Sequence, residues 1–457
     1  MRLLRAVCGA VAAVSAASLM TAPGAAARPT GPPAGRVYVQ SAVNGLNASD
    51  SGGSIALHRP QGNEDRQQWN VAPVSGGRHE LRSADDPARC LGRSGDRAVT
   101  VACGGADAGW EIAPAGNGRF SLAVPGTGNR LALGERPSGG SFPDQPRIGG
   151  GGDLAHWFLT PAPLPTAAMP PADRRTLDQV TFLTAHNAYA NGVDGGFAPP
   201  IVNAFPNQKR GIEQQLADGV RGFMLDVHQT PDGAILCHNS CTLVSRPVAL
   251  WVDLQRIVNF LRRNPGQFAT VFLEDYVSAE VLRGELERVD GLSDVLYRPD
   301  REGVHQQGWP RMADLARRGK QLLIFTDRTR AQDAGGPARS DFGVLYQQEW
   351  TVENHWSMGP GVGTSNWACY SRWYGGDLNV PLTREDGAFR PLFVMNHFRD
   401  VPITATASLD NSRLLNRAEN FCAPAARKKP NFLAVDHYDR GSAQSAVDRL
   451  NTYTVTP

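Results

Sequence analysis

From Leu177 to the C-terminus, short apolar runs rich in β-branched residues recur along the chain. Stretches with helical periodicity separate several of them, as at 212–216, 251–263 and 443–452. Near-continuous apolar runs of this length are typical of parallel strands buried on both faces. Eight of them predict an α/β domain with a (β/α)8 barrel, with strands at 180–185, 220–227, 234–237, 269–275, 321–326, 343–347, 391–396 and 431–437.

One connection departs from the barrel pattern. Residues 229–233, Gln-Thr-Pro-Asp-Gly, are too few for a helical crossover and are typical of a hairpin turn. We therefore expect a distorted or incomplete barrel.

Residues 37–162 have a different character, with short strands, many glycines and turn-forming dipeptides. They contain three similar units, each of which ends near a tryptophan, at Trp69, Trp110 or Trp157. Because one such unit cannot bury its own hydrophobic face, three of them predict an all-β trefoil in front of the barrel. The three tryptophans are expected to be its core rather than its ligand contacts.

The remaining boundaries follow from composition. Arg2 and Arg5, an apolar stretch and Ala25-Ala-Ala27 predict a signal peptide at 1–27, and hence a secreted protein. The proline-rich segment 163–173 predicts an extended spacer without a core of its own. The barrel domain is then expected at 174–457.

Charge and cysteines narrow the class of protein. With 46 basic and 44 acidic residues the net charge is only +2, so we expect no nucleic-acid partner. Without Cys8 of the signal peptide, six cysteines remain, which suits disulfides in an oxidising compartment and allows 15 connectivities. Proximity favours Cys90–Cys103 and Cys237–Cys241, which leaves Cys369–Cys422. The paired Cys/His clusters of a zinc site are not found in the sequence.

Polar and titratable residues recur where the predicted strands end. A lone histidine at a strand end is usually structural, but a barrel gathers the carboxyl ends of its strands into one pocket, so their repetition predicts an active site. The residues concerned are His186, Asn187, Asp226, His228, His238, Glu274, Asp275, Asp327, Asn396, His397, Asp436 and His437. Two histidines with carboxylates suit phosphate-ester cleavage by acid and base.

Within this region the motifs Thr184-Ala-His-Asn187, Gly219-Val-Arg-Gly-Phe-Met-Leu-Asp226, His238, Asn264-Pro-Gly266 and Val271-Phe-Leu-Glu274 resemble the X domain of phosphatidylinositol-specific phospholipase C. The resemblance extends over residues 175–440 and is strongest in its first hundred. It implies a (β/α)8-like barrel that cleaves the phosphodiester of a phospholipid head group at a membrane surface, with the inositol 2-hydroxyl as nucleophile.

The same resemblance implies roles for single residues. His238 corresponds to the general acid, and His186 to the histidine that contacts the phosphoryl oxygen or acts as base. Positions matching Asn187, Asp226 and Glu274 bind calcium in the calcium-dependent branch. Met224 stands where that branch has a further glutamate, which implies weaker calcium binding or a substitute ligand. Structural ion pairs are the competing interpretation of Asp226 and Glu274.

Other assignments are less specific. Asp436 is expected either to orient His186 or to cap a loop. We expect Asp327, Arg328, Asn396 and Tyr438 to line a head-group pocket.

The N-terminal units resemble the ricin-type lectin trefoil, whose repeats end in Gln-x-Trp. The first unit keeps this motif as Gln67-Gln-Trp69, whereas Ala108 and Ala155 replace the glutamine in the other two. The resemblance implies carbohydrate binding. Two further hypotheses stay open: a glycerophosphodiester phosphodiesterase on the same barrel, and a glycan-binding protein whose barrel is inactive.

Overall fold

The computed structural model describes residues 31–62, 64–134, 145–195, 206–238, 241, 247–329, 342–372, 382–384 and 389–456. The predicted signal peptide lies outside these residues. Within them, no helix combines the length and the apolarity that a membrane span requires.

Twelve strands form the N-terminal domain. They are β1 Gly35–Ser41, β2 Asn47–Asp50, β3 Ile55–His58, β4 Gln68–Val74, β5 Arg78–Ser83, β6 Arg89–Ser94, β7 Arg97–Ala102, β8 Glu111–Gly116, β9 Arg119–Ala123, β10 Arg130–Leu133, β11 Pro146–Gly149 and β12 Trp157–Pro161. All pairings are antiparallel, and β12 pairs along β1, so the last strand returns to the first and closes the domain.

The three tryptophans give this domain its internal threefold repeat. Each is fully buried, and in every unit one residue separates it from a single turn of 3-10 helix that precedes it. Each indole N–H donates to a backbone carbonyl in the second strand of its own unit: Trp69 to Ala48 (2.9 Å), Trp110 to Leu91 (2.8 Å) and Trp157 to Leu131 (2.8 Å). The strands thus have the arrangement of the predicted trefoil, with the tryptophans as its core.

The segment between the domains is extended, as its prolines predict, but it is more than a spacer. Within it, β13 (Thr166–Ala168) pairs antiparallel with the last strand, Tyr453–Val455. This pairing attaches the segment to the C-terminal domain.

Ten strands form the main sheet of the C-terminal domain. They are β14 Phe182–Ala185, β15 Gly222–Thr230, β16 Gly233–Leu236, β17 Val248–Ala249, β18 Ala269–Tyr276, β19 Leu322–Thr326, β20 Leu345–Tyr346, β21 Thr351–Glu353, β22 Leu392–His397 and β23 Phe432–Val435. Eight of them run parallel in the order β20-β19-β18-β15-β14-β23-β22-β21. The parallel sheet is therefore confirmed.

The two end strands of this sheet follow each other in the chain. Only the helical turn Gln347–Trp350 separates β20 from β21, so the sheet curls back towards itself. Within the described residues, however, no hydrogen-bonded ladder joins these two strands. The closed (β/α)8 barrel is not established, which agrees with the expectation of a distorted or incomplete one.

Two strand predictions need correction. Residues 234–237, expected as a barrel strand, form β16 instead, which returns antiparallel from β15 through the predicted hairpin turn. The eighth parallel strand is β21, which has only three residues and therefore lacks a recognisable apolar run.

Helices surround the sheet. They are Ile212–Ala217, Leu250–Arg263, Ala279–Glu287, Leu292–Val295, Val304–Gln307, Met312–Arg317, Gln347–Trp350, Thr404–Asn411, Leu414–Arg417, Ala423–Ala426 and Ala443–Leu450. The longest buries Leu254, Ile257, Val258 and Leu261, whose spacing places them on one helix face. This helical spacing of apolar residues allowed the helix to be predicted from the sequence.

The three disulfides are the expected ones: Cys90–Cys103 and Cys237–Cys241, which sequence proximity favoured, and Cys369–Cys422, which remained by elimination. The last of these joins the loop after β21 to the helical region 414–426.

Candidate active site

A cavity of about 270 Å³ lies where the parallel strands end. Seven of the predicted site residues line it: His186, Asn187, Asp226, His238, Glu274, Asp327 and Asn396. The other lining residues are Asn207, Met224, Leu225, Phe272, Leu273, Gln347, Glu353, Trp356, Arg372, Phe398, Arg399 and Asp400. The parallel sheet thus gathers strand ends as expected.

His186 is held by Asp436 and Phe398. Its Nδ1 lies 2.9 Å from Oδ1 of Asp436, and its ring stacks on Phe398 with centroids 3.5 Å apart. Asn207 donates from Nδ2 to the same Asp436 oxygen (2.9 Å), and Asp436 is itself buried. If Nδ1 carries the proton donated to Asp436, Nε2 is the nitrogen that can accept one.

His238 follows the hairpin strand β16 and lines the same cavity. Its outer side is exposed, but the protein around the ring desolvates it, and His186 lies near enough to oppose a second positive charge. Desolvation first, and His186 second, lower the pKa of His238 below its usual value. The structure therefore couples the two imidazoles electrostatically.

Carboxylates line the same cavity. Asp226 and Glu274 stand side by side in the parallel register of β15 and β18. Burial, followed by the charge of Glu274, raises the pKa of Asp226 well above its usual value. Burial likewise raises the pKa of Asp327 to about 6, although Arg372 opposes the shift.

One arginine partly balances these charges. Arg372 donates from Nη1 to Glu353 (3.1 Å), and its Nη2 lies 3.7 Å from Asp327. Glu353 also accepts hydrogen bonds from Gln347 (2.7 Å) and Asn396 (2.7 Å). Five carboxylates, those of Asp226, Glu274, Asp327, Glu353 and Asp400, thus share the cavity with this guanidinium, whereas Arg399 is paired with Asp410 (2.6 Å).

The donor set fits a hard cation such as calcium. Asn187 adopts a left-handed backbone (φ 44°) and is buried in the cavity wall, and its Nδ2 has no hydrogen-bond partner within the described residues. The amide oxygen of Asn187 and the two adjacent carboxylates are oxygen ligands of the kind that calcium prefers, whereas the unpartnered Nδ2 is a hydrogen-bond donor and cannot bind a cation. Met224 lines the cavity next to them and adds no oxygen.

Two of the predicted head-group residues lie elsewhere. Arg328 donates to the carbonyl of Val277 (2.9 Å), and the buried Tyr438 donates to Asp218 (2.7 Å). Neither lines the cavity. Arg328 and Tyr438 both follow a strand, but their side chains are engaged in contacts outside the cavity.

Several strand-end residues are structural. His397 is buried and bonded to the carbonyl of Asp410 (3.0 Å), and burial lowers its pKa to about 3. His437 is buried and bonded to the carbonyl of Pro402 (2.9 Å). Asp275 accepts a hydrogen bond from Thr326 (2.8 Å), and His228 stacks on Tyr276, with centroids 4.4 Å apart.

Sequence reasoning missed Asn207, Glu353 and Arg372. Glu353 ends the three-residue strand, and Asn207 and Arg372 lie in irregular segments. The only available signal was Cys369, since a disulfide three residues before Arg372 anchors its loop.

Comparison with known proteins supports the first resemblance. Residues 173–357 match the family model of the PI-PLC X domain, described as PI-PLC X 1. A PI-PLC X domain-containing protein of Arabidopsis thaliana is 29% identical over 282 residues, which is 60% of this chain and 62% of that protein. An uncharacterized secreted protein of Arthroderma benhamiae is 23% identical over 291 residues, 60% of each. The chain thus spans about 60% of the length of these relatives.

Among solved structures, the chain is similar to β-trefoil proteins. A Macrolepiota procera ricin B-like lectin in complex with lactose is 24% identical, with 28% of this chain and 96% of that one covered and a TM-score of 0.24. The Rhizoctonia solani agglutinin is 15% identical. The similarity covers 29% of this chain and 97% of the agglutinin, with a TM-score of 0.25.

Proposed function

From the match of residues 173–357 to the PI-PLC X domain family, we propose that this protein is a phosphodiesterase that cleaves phosphatidylinositol-type phospholipids. One observation carries the proposal: His186 and His238, 52 positions apart in the chain, line one cavity together with Asp226 and Glu274. Two imidazoles in one small cavity meet the need of this reaction for a proton acceptor and a proton donor.

His186 is the base in this proposal. Its Nε2 takes the proton of the inositol 2-hydroxyl as that oxygen bonds to phosphorus, and Asp436 stabilises the resulting imidazolium through Nδ1. The bond from phosphorus to the glycerol oxygen breaks, and His238 gives its proton to that oxygen. The products of this step are diacylglycerol and a cyclic inositol phosphate, and attack of water on the cyclic ester would give an inositol phosphate.

Calcium is proposed as cofactor, held by oxygens of Asn187, Asp226 and Glu274. When bound, it would offset negative charge on the phosphoryl oxygens. The raised pKa of Asp226 supports the proposal, because adjacent carboxylates of low solvation are stabilised by a nearby cation. Since Met224 contributes no ligand, we expect more water in the coordination shell and modest affinity.

The head group is proposed to lie against Asp327, Asn396 and Arg372, which line the cavity beside the carboxylates. The Asp327 carboxylate can accept hydrogen bonds from sugar hydroxyls. The Asn396 amide group donates to Glu353 (2.7 Å) and to the carbonyl of Asn354 (3.0 Å) and so holds this part of the wall in place. Arg372 reduces the net negative charge that an anionic phosphodiester meets on entry.

A lipid surface as partner is supported by the exposed apolar residues. Six large ones occur among the described residues, and all six come at or after the carboxyl ends of parallel strands. They are Val193, Tyr276, Trp356, Val362, Val401 and Leu409. Trp356 lines the cavity, and exposed apolar side chains beside a substrate cavity favour contact with a membrane interface.

Two wider parts of the proposal concern the N-terminal domain and the compartment. We propose that the trefoil binds carbohydrate, with the polar cavity of about 500 Å³ in its first unit, beside Asp50, Gln61 and Gln67, as the site.

Export of the protein is proposed from the predicted signal peptide and agrees with the three disulfides.

Phosphorus NMR of the products formed from phosphatidylinositol vesicles tests the function. We expect calcium-dependent appearance of an inositol phosphate, absent with His186→Ala or His238→Ala while circular dichroism stays unchanged. If no inositol lipid is turned over with or without calcium, the proposal is wrong.

A further inference from the structure

One loop of the trefoil packs directly against the C-terminal domain. This segment, residues 59–62, is the docking loop. The Arg59 guanidinium lies 4.0 Å above the ring of Tyr370, and the carbonyl of Pro60 accepts a hydrogen bond from the amide of Cys369 (3.2 Å). A Cβ atom on Gly62 would lie 1.8 Å from the carbonyl oxygen of Asn420, so only glycine fits there.

Gln67 holds the docking loop from inside the trefoil. Its Nε2 donates to the carbonyl of Arg59 (3.0 Å), and its Oε1 accepts from the amide of Gln61 (3.1 Å). The equivalent residues of the other two units, Ala108 and Ala155, cannot make these bonds. The unit that keeps its glutamine is thus the unit that provides the docking loop.

Beyond the interface, the contacted segment continues into the active site. The carbonyl of Tyr370 accepts from the amide of His355 (2.8 Å), and the amide of Arg372 donates to the carbonyl of Glu353 (2.8 Å). Residues 370–372 therefore lie alongside the end of β21. The Arg372 side chain then reaches Glu353 and Asp327 in the cavity.

A second route to the cavity wall starts at the same tyrosine. The ring of Tyr370 stacks on His355, with centroids 5.1 Å apart, and His355 stacks on Trp356 at 5.4 Å. Trp356 lines the cavity and is 46% exposed at its mouth. Arg59 thus supports two parts of the wall through one aromatic ring.

We propose that the docking loop positions the wall of the active site, so that Arg59 of the trefoil is a positioning residue for the chemistry of the other domain. By holding Tyr370, Arg59 fixes the segment that presents Arg372 to Glu353 and Asp327. If that segment shifts, these carboxylates lose their counter-charge and repel the anionic substrate. The inference rests on the proposed phosphodiesterase function for its effect on catalysis.

Kinetics of the full-length protein test the effect on catalysis. Arg59→Met removes the charge over the Tyr370 ring, and we expect kcat/KM on phosphatidylinositol vesicles to fall about tenfold or more, since small displacements of positioning groups are costly. Arg59→Lys keeps a cation there and should retain most of the activity. Arg66→Met is the matched control, because Arg66 pairs with Asp85 inside the trefoil and is exposed.

Hydrogen exchange tests the docking itself and does not depend on activity. In Arg59→Met and in Gly62→Ala we expect faster exchange at the amides of His355, Cys369 and Arg372, with trefoil strands unchanged. Gly128→Ala is the control for the glycine, since nothing lies within 4 Å of a Cβ there.

The two measurements separate the two proposals. If the wild type turns over no lipid but exchange rises as expected, the function fails and the docking stands. If Arg59→Met and Gly62→Ala leave both exchange and kcat/KM as in the wild type, the positioning role is wrong. Loss of activity in Arg59→Lys equal to that in Arg59→Met would also overturn it.

Discussion

Nδ1 of His186 and Oδ1 of Asp436 lie 2.9 Å apart although 250 positions separate the two residues in the chain. Their strands, β14 and β23, are parallel neighbours in which Ala185 stands opposite Val435. Each residue is therefore the first one after its strand, at the same level of the sheet. The contact follows from the register and orients the imidazole towards the cavity.

The first prediction concerns this pair. Asp436→Asn should lower kcat by about 10²-fold, because an amide stabilises the imidazolium of the base less well than a carboxylate does. Steady-state kinetics with phosphatidylinositol measure the loss, and Asp439→Asn, three residues further on, is the control. Equal kcat in wild type and Asp436→Asn would reduce Asp436 to a structural role.

The second prediction uses the electrostatic coupling of the two histidines. Because the nearby charge of His186 lowers the pKa of His238, His186→Asn should raise that pKa towards its ordinary value. NMR titration of the His238 imidazole measures the shift without any substrate. A pKa of His238 that is the same in both proteins contradicts the coupling.

The third prediction concerns calcium and pH. Because the pKa of Asp226, a proposed ligand, is raised well above its usual value, protons compete with a cation for this carboxyl at a higher pH than for an ordinary aspartate. Calcium affinity should therefore fall as the pH decreases, and Asp327, whose pKa is raised to about 6, also loses its negative charge as the pH decreases through about 6. Calorimetric titration at several pH values checks this.

Variants make the calcium experiment specific. Asp226→Asn should remove most of the heat of calcium binding. Asp290→Asn should leave that heat unchanged, because the Asp290 carboxylate is exposed and does not line the cavity. The same heats in the wild type and in Asp226→Asn would show that calcium does not bind here.

The fourth prediction addresses the exposed apolar residues. Val362→Gln and Leu409→Gln, neither of which lines the cavity, should each weaken binding to phosphatidylinositol vesicles roughly fivefold, equivalent to about 1 kcal/mol of lost apolar contact. Vesicle sedimentation measures the binding. Gln306→Ala, on an exposed helix elsewhere, is the control. Unchanged binding in both glutamine variants would leave these side chains without a membrane role.

How far the sequence predicts this molecule depends on the length of each pattern. Strand β18 and the helix Leu250–Arg263 have long enough apolar patterns to be recognised. Strand β21 has three residues, too few for a period, and so Glu353 at its end was missed. Residues 234–237 look like any buried strand, and only the short turn before them indicated the antiparallel return.

The residues of the candidate active site also divide into those that follow from a recognisable sequence pattern and those that do not. His186 could be predicted because it directly follows a recognisable strand, and Asp226 and Glu274 because they are polar residues within two recognisable apolar strands. Arg372 reaches the cavity from an irregular segment held by the docking loop and a disulfide, a long-range arrangement without a local pattern. Tyr438 illustrates the opposite error, since it lies next to a strand end but its hydroxyl points to Asp218.

The division of labour between His186 and His238 is tested most directly by changing the leaving group. An inositol phosphodiester of p-nitrophenol releases an anion that needs no protonation, whereas the glycerol oxygen of phosphatidylinositol does. His238→Ala should therefore lose turnover of phosphatidylinositol but keep much of its turnover of the nitrophenyl ester, and His186→Ala should lose both. Equal losses on the two substrates in His238→Ala would contradict its role as the acid that protonates the departing oxygen.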